Sequence, residues 1–493
     1  MPAGLRRVKG DIMLKTLPIV ALLILVATAP ARADDRGPMV PLRTVDALDA
    51  PAALDAPPPL AAQDKVELPP HLRVKKSKKH ILGWWGRFID KEIGLIGGMD
   101  LYGVTSQLPQ GYAYIKWDWG IIEAGSRYDN RRKKGPVMKP IQFSQDTDGD
   151  GIEEKLLSID MGLEGKGGGH TFQFSYGIID ALDWYIEVPF TYMNLKFRPK
   201  TQVIDDDGNR VAPSLANILG IDDPKTFNAY EFNNKLLPIL GRPSLDTTYT
   251  GKWLLGDINT GLSWNIFRNR RFSIALTPRV YLPTGHQPSP NSNLLWGTGP
   301  EMETGIGGWA AGFTQGYDLR IFKYSYWVDI ILSAEVAMSY AFPQEREYPT
   351  NFPVPNPMAV ALDPTAFPDL SHLDGSFTYT PGFSVSALMK LGVQVAIFGL
   401  AAGIGVTHSQ EPELNADYAF VQMAKSLELL GTMQQELFQL GASVNLLPFY
   451  IPMELGFTWT KDISGYNAIV FDNFFQFTLK TYFPIWRDFD VDS

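Results

Sequence analysis

From about residue 110 onward the chain keeps returning to one rhythm, an apolar residue at every second position in runs of about ten residues. Ala113, Ile115, Trp117 and Trp119 alternate with Tyr114, Lys116, Asp118 and Gly120. Leu157, Ile159, Met161 and Leu163 alternate with Ser158, Asp160, Gly162 and Glu164, and Phe172, Phe174 and Tyr176 with Gln173, Ser175 and Gly177. The pattern recurs from Ile258 to Ile266, from Phe272 to Leu282, from Val328 to Tyr340 and from Phe377 to Leu391. It continues from Phe438 to Leu446, from Met453 to Trp459 and from Phe475 to Phe483. A period of two is that of a strand whose faces meet different surroundings. Here one face is apolar and aromatic, while the other carries Gly, Ser, Thr, Asn and charge. That dyad repeat describes a transmembrane barrel, since a soluble sandwich has shorter strands and turns a polar face outward.

The connections alternate as well. Those at 179–183, 268–271, 320–323, 392 and 447–451 are short, and those at 194–252, 283–298, 341–375, 407–435 and 461–473 are long. Short turns on one rim and long loops on the other are the habit of bacterial barrels. Counting from Leu156 gives about twelve strands. A strand at Tyr112 to Ile121 adds a thirteenth, and a partner near Val137 to Phe143 brings the total to about fourteen. The expected fold is therefore all-β, an antiparallel up-and-down barrel of about 12–14 strands across residues 98–485, followed by a tail at 486–493.

Composition narrows the chemistry. A net charge of −9 gives no basic surface for nucleic acid, and zero cysteines exclude disulfides, thiolate catalysis and a lipoprotein anchor. At the N-terminus Arg6, Arg7, Lys9 and Lys15 precede an apolar run from Leu17 to Ala29, and Ala31-Arg32-Ala33 has the small-x-small form of a cleavage site. Residues 1–33 are expected to be a cleaved Sec signal peptide, with Met13 a second possible start. Residues 34–79 are rich in Ala, Pro and Asp and end on Lys75, Lys76, Lys78 and Lys79, the composition of a disordered periplasmic linker. Ile81, Leu82, Trp84, Trp85, Phe88, Ile89 and Ile93 then predict an amphipathic helix over 80–97, lying on the inner leaflet, forming a plug or packed beneath the barrel. The final strand, Phe475-x-Phe477-x-Leu479-x-Thr481-x-Phe483, looks like an outer-membrane assembly signal, although Trp486 and Phe489 follow it.

Three short patterns resemble the outer-membrane family known for the MetA pathway of phenol degradation. They are Leu108-Pro109-Gln110-Gly111-Tyr112; Tyr176-Gly177-Ile178-Ile179-Asp180-Ala181-Leu182-Asp183 leading to Glu187-Val188-Pro189; and Gly256-Asp257 followed by Leu282-Pro283-Thr284-Gly285. The long loops and the Asp146–Glu154 segment lie outside that pattern. The resemblance implies passive passage of small hydrophobic or aromatic molecules across outer-membrane lipid, and it brings no catalytic residues.

Asp146, Asp148, Asp150, the Ile152 carbonyl and Glu154 have the alternating oxygen spacing of a short calcium loop, the one cofactor site expected, with a solvated acidic turn as the alternative. Asp205-Asp206-Asp207-Gly208 has the composition of a turn. His71, His80, His170, His286, His372 and His408 show neither ligand spacing nor a nucleophile partner, so no enzyme is expected. On the polar faces, Lys116, Arg279, Lys390 and Lys480 are placed in the lumen with Asp118, Asp160, Glu164, Glu187, Glu301, Glu303, Asp329, Glu335 and Glu454. So many acids require water or tight pairing, which leaves open a wet, weakly cation-selective porin or a closed structural or surface-binding barrel. Phe420, Met423, Ala424, Leu427 and Leu430 fall at helical spacing inside a long loop, expected either to fold inward as a constriction or to cap the barrel.

Overall fold

The computed structural model describes residues 104–485, apart from 139, 146–153, 203–228, 240–243, 245–247, 295–300, 325–327, 356, 358–367, 427–429 and 448–450. Twelve antiparallel strands form the wall. In chain order they are β1 (Tyr112–Ala124), β2 (Leu163–Ile179), β3 (Leu182–Phe197), β4 (Asn259–Arg268), β5 (Phe272–Tyr281) and β6 (Ala310–Tyr324). They continue as β7 (Val328–Ala341), β8 (Ser384–Val395), β9 (Phe398–Ser409), β10 (Met433–Asn445), β11 (Met453–Tyr466) and β12 (Asn473–Pro484). Each pairs with its sequence neighbour, and β12 pairs with β1 from Pro484↔Tyr112 to Asn473↔Glu123, so the sheet closes on itself. No helix among the described residues is long and apolar enough to cross a membrane.

The closing seam shows how the period-two pattern works. On the outside Trp119 stacks on Phe477 at 5.4 Å, and on the inside Thr478 donates to Asp118 at 2.6 Å. Around the wall, Ile115, Trp117, Phe172, Trp184, Leu262, Trp264, Leu400 and Leu455 are large apolar side chains left exposed on the outer face. Water would not tolerate so continuous an apolar girdle; hydrocarbon does.

The count of twelve is reached differently from the sequence expectation. Tyr112–Ala124 belongs to the wall. The run through Leu157 and Ile159 does not: Glu154–Asp160 pairs with Ile141–Gln145 and Lys200–Gln202 in a separate sheet. Gly162, at φ +57, breaks the alternation there, and Leu163 then opens a single strand of 17 residues that includes Phe172 to Tyr176. Periodicity alone cannot detect such a break, because apolar spacing is kept across it. The turn expected at Gly392 lies beyond Val395, with Ala396 in the left-handed region at φ 54, while Gly392 sits in the strand opposite Ile331 and Ala401. Residues 320–323 likewise stay in β6, which bulges between Arg320 and Phe322.

At the short-turn end, Asn269 shapes one hairpin by accepting from the Arg271 and Phe272 amides at 2.7 and 2.8 Å. At the long-loop end the third family-like pattern forms a clasp. Asp257 accepts from the Gly285 amide at 2.8 Å and from the Ile306 amide, while the Thr284 hydroxyl donates to Gly256 O at 3.0 Å and accepts from the Ile258 amide at 2.9 Å. Gly285 and Gly305 lie so close to the Asp257 carboxylate that a Cβ on either would strike it.

If the outer girdle faces lipid, replacing Leu262 near the middle of β4 by Arg should lower folding stability in bilayers by roughly 2–4 kcal/mol. Denaturant titration in lipid vesicles measures this, and a near-neutral effect would mean that the face is not in hydrocarbon.

Candidate functional site

The chain enters the barrel before it joins the wall. Residues 104–111 form a strap across the short-turn end, starting against β6 and finishing at β1, on nearly opposite sides of the twelve-strand ring. One carboxylate anchors its far end. Asp318 of β6, with no exposed surface, accepts from the Val104 amide at 3.1 Å, the Thr105 amide at 2.8 Å and the Thr105 hydroxyl at 2.5 Å. Ser333 of β7 donates to the same group at 2.6 Å. Gly316, without a Cβ, leaves room for Val104.

The middle of the strap is held by β4. Gln107 Nε2 donates to Ser263 Oγ at 2.8 Å, and Asn265 Nδ2 donates to Thr105 O at 3.2 Å. At the near end the first two family-like patterns meet in space. The Leu108 amide donates to Asp183 at 2.9 Å, the Gln110 amide to Asp180 at 3.0 Å, and the Gly111 amide to Gly177 O at 2.9 Å. Gly177 is packed against the Pro109 and Leu108 carbonyls, so any side chain there would displace the strap. Backbone N–H groups in a buried strap need acceptors, and acids at hairpin positions supply strong ones.

Above the strap lies a cavity of about 620 Å³. Gln107 and Leu108 form part of its floor, and its charged lining comprises Lys116, Lys390, Lys480, Asp183, Glu335 and Glu454. Small residues make the space. Ala401, Gly403, Gly441 and Gly456 bring β9, β10 and β11 to the cavity almost as bare backbone. Lys116 pairs with Asp118 at 2.7 Å, and Lys480 approaches Glu454 at 4.0 Å while lying over the Tyr114 and Tyr482 rings at 4.3 and 4.8 Å.

The other expected lumen residues divide. Glu187 accepts from Asn259 at 2.5 Å, Arg279 contacts the Thr314 hydroxyl, and Asp329 is bound by Arg320 through two contacts of 2.9 Å, all on the inner face of the wall. Four do not belong there. Asp160 ends the separate strand and turns back to the Gly162 amide at 2.9 Å. Glu301 and Glu303 lie in the loop between β5 and β6, where alternation of side chains no longer holds. Glu303 pairs with Arg346 at 2.9 Å, and Glu301 accepts from Ser292 at 3.2 Å. Glu164 stands at the rim, 3.8 Å from Arg198. Asp318 and Asp183 are strap acceptors that alternation missed; the Tyr176–Asp183 pattern signals Asp183, and nothing local signals Asp318.

Calcium remains an expectation from the sequence, because residues 146–153 and the Glu154 side chain are outside the described residues, as are the predicted signal peptide, linker and N-terminal helix.

The long-loop end carries a small packed unit. Gln344–Glu347, Ser376–Thr380 and Glu413–Asn415 form a three-stranded sheet, and a helix, α1 (Tyr418–Ser426), covers it. Asp417 caps α1 by accepting from the Ala419 and Phe420 amides at 2.8 and 3.3 Å. The apolar face of α1, with Phe420, Met423 and Ala424, is buried against Tyr348, Phe352, Leu370 and Phe377, so it caps rather than lining the lumen cavity. Arg346 ties this unit to the β5–β6 loop through Glu303 and Gln287, and also donates to Gln344 of its own strand. Burial raises the neighbouring Tyr379 hydroxyl to about 12, Glu303 adding to the effect and Arg346 opposing it, so the phenol stays neutral at physiological pH.

No protein-family model matches the chain, and no curated protein does. Among solved structures it is similar to the COG4313 outer membrane channel from Pseudomonas putida F1, with 11% identity and a TM-score of 0.42, over 78% of this chain and 99% of that one. It is also similar to a Pseudomonas aeruginosa FadL homologue, with 10% identity and a TM-score of 0.25, over 76% and 90% of the two chains. The NanC porin aligns over 75% and 98%, with 7% identity and a TM-score of 0.29.

Asp318→Ala should release the far end of the strap while leaving the wall ladder paired. Hydrogen exchange by mass spectrometry should then show at least about tenfold faster exchange at the amides of 104–108, with β2–β7 unchanged.

Proposed function

We propose that this chain is a Gram-negative outer-membrane channel for small polar solutes, reached through the Sec pathway and held shut at its periplasmic mouth by the 104–111 strap. The observation that carries the reading is the cavity of about 620 Å³ above that strap, lined by three lysines and three acids. Charges in such a space are tolerable only with water or close partners, and a wet lumen is a route for solutes that water dissolves. Because the short-turn end holds the strap and both ends of the barrel chain, it is the periplasmic side by the usual rule for bacterial barrels. The inward acids Asp118, Asp183, Glu187, Asp318, Asp329, Glu335 and Glu454 give the lumen wall negative charge beside its lysines and arginines, which supports weak cation preference.

A second reading, passage of small hydrophobic or aromatic molecules, follows from the resemblance noted in the sequence. It is favoured by a hollow on the outer wall bounded by Trp117, Trp119, His170, Tyr192 and Trp253. The lumen itself supports it less, since the apolar side chains of α1 are spent in their own core.

Planar-bilayer recording with a salt gradient tests the first reading. The parent should insert and stay closed most of the time, and Asp318→Ala combined with Asp183→Ala should raise open probability at least about tenfold, with cations preferred. Unchanged closure in the double variant would remove the strap as the gate. Open channels that admit hexane-soluble aromatics but exclude sugars in a liposome assay would favour the second reading.

A further inference from the structure

Two charged groups in the lumen cavity stand apart from the pairing that serves the others. Lys390 of β8 and Glu335 of β7 both line the cavity, yet among the described residues neither takes part in a hydrogen bond or an ion pair. Register places them on one inner face as neighbours that do not sit directly opposite each other. Glu335 lies opposite Leu388 and Lys390 opposite Ser333, so the two are a diagonal pair, roughly 7–8 Å apart at the backbone. The aliphatic stem of Lys390 lies beside Gly403 of β9, where a Cβ would come within 2.8 Å of Lys390 Cγ.

The result is a cation and an anion that line one space without an ion-pair contact between them. A solute with only a carboxylate would satisfy Lys390 and face Glu335; a solute with only an amine would do the reverse. A dipolar solute satisfies both. A volume of about 620 Å³ is in the range that holds a small organic molecule.

We propose that this cavity is a binding site for small zwitterions, with Lys390 receiving the carboxylate and Glu335 and Glu454 the ammonium end. The proposal rests on the polar-lumen reading above and names its substrate class. It predicts that affinity depends on both charges of the solute together, a property that a merely wet pore lacks. The charge pattern also orders the passage: an incoming dipole is turned so that its anionic end faces β8.

Isothermal titration of the refolded, detergent-held full chain with 6-aminohexanoate, hexanoate and hexylamine tests this. The linear zwitterion reaches between separated charges, and the other two probes each lack one end. The expected result is binding of 6-aminohexanoate at least about tenfold tighter than either control, lost by about tenfold or more in Lys390→Gln and in Glu335→Gln. Both variants should keep the heat-modifiable gel shift of the folded barrel, and Glu345→Gln on the exposed outer sheet should bind like the parent. Equal binding of the three probes, or retention of the preference in both folded variants, would overturn the proposal. Since no current is measured, the titration is independent of the bilayer recording: polar conductance without zwitterion preference would sink this inference alone.

Discussion

Closure of the sheet is the constraint on which everything else depends. A strand in hydrocarbon cannot leave its N–H and C=O groups unpaired, each costing several kcal/mol, so an open edge is excluded. The β1–β12 ladder removes that edge over the length of both strands. Once the ring is closed, alternation stops being a preference and becomes an obligation: one face must suit lipid and the other must fill or line the interior. Trp117 and Lys116 are adjacent in sequence, yet one is exposed outside and the other lines the cavity.

A twelve-strand ring is too wide for its inward side chains to meet in the centre. The protein uses that width unevenly. Toward β9–β11 the inner face is reduced to Ala and Gly, while β1, β7, β8, β11 and β12 supply charge. Open space is thus made by small residues on β9–β11, and charges on that same stretch and on the strands flanking it give it polarity. At the short-turn end the same width is crossed by eight residues of main chain. An extended segment of that length reaches about 26–29 Å, enough to run from β6 to β1.

Much of this was legible. Alternation identified most wall strands and placed Lys116, Asp118, Glu187, Arg279, Asp329, Glu335 and Lys390 on the inner face, because inside a wall strand position parity is orientation. It failed where the chain left the wall while keeping its apolar spacing. Leu157 and Ile159 sit in a satellite sheet, and Glu301 and Glu303 sit in a loop, where parity has no geometric meaning. The strap was invisible to periodicity because its stability comes from main-chain donors meeting acids distant in sequence. Thr105 and Asp318, separated by 213 positions, share no local signal. The short patterns did carry information of another kind. Two of them meet at the near end of the strap, and the two halves of the third meet at the Asp257 clasp. In each case an Asp acceptor and a side-chain-free Gly are needed at one spot, a demand few other residues satisfy.

The two ends of the barrel are held by different physics. At the long-loop end Tyr348, Phe377, Phe420 and Met423 form a dry core, whose separation would expose apolar surface at about 25 cal/mol per Å². At the short-turn end the strap is held chiefly by hydrogen bonds to Asp318, Asp183, Asp180 and Ser263. Such bonds exchange with water for a net cost of about 0.5–3 kcal/mol each once the groups are hydrated. The cavity already borders the strap, so water is available on its inner side as well as at the mouth. Removal can then proceed bond by bond, each step being partly offset by hydration. An apolar core has no comparable sequence of intermediates, since its contacts are lost together. On the proposed channel reading, the end closed by main-chain hydrogen bonds opens at the lower cost, and the long-loop unit is the fixed one.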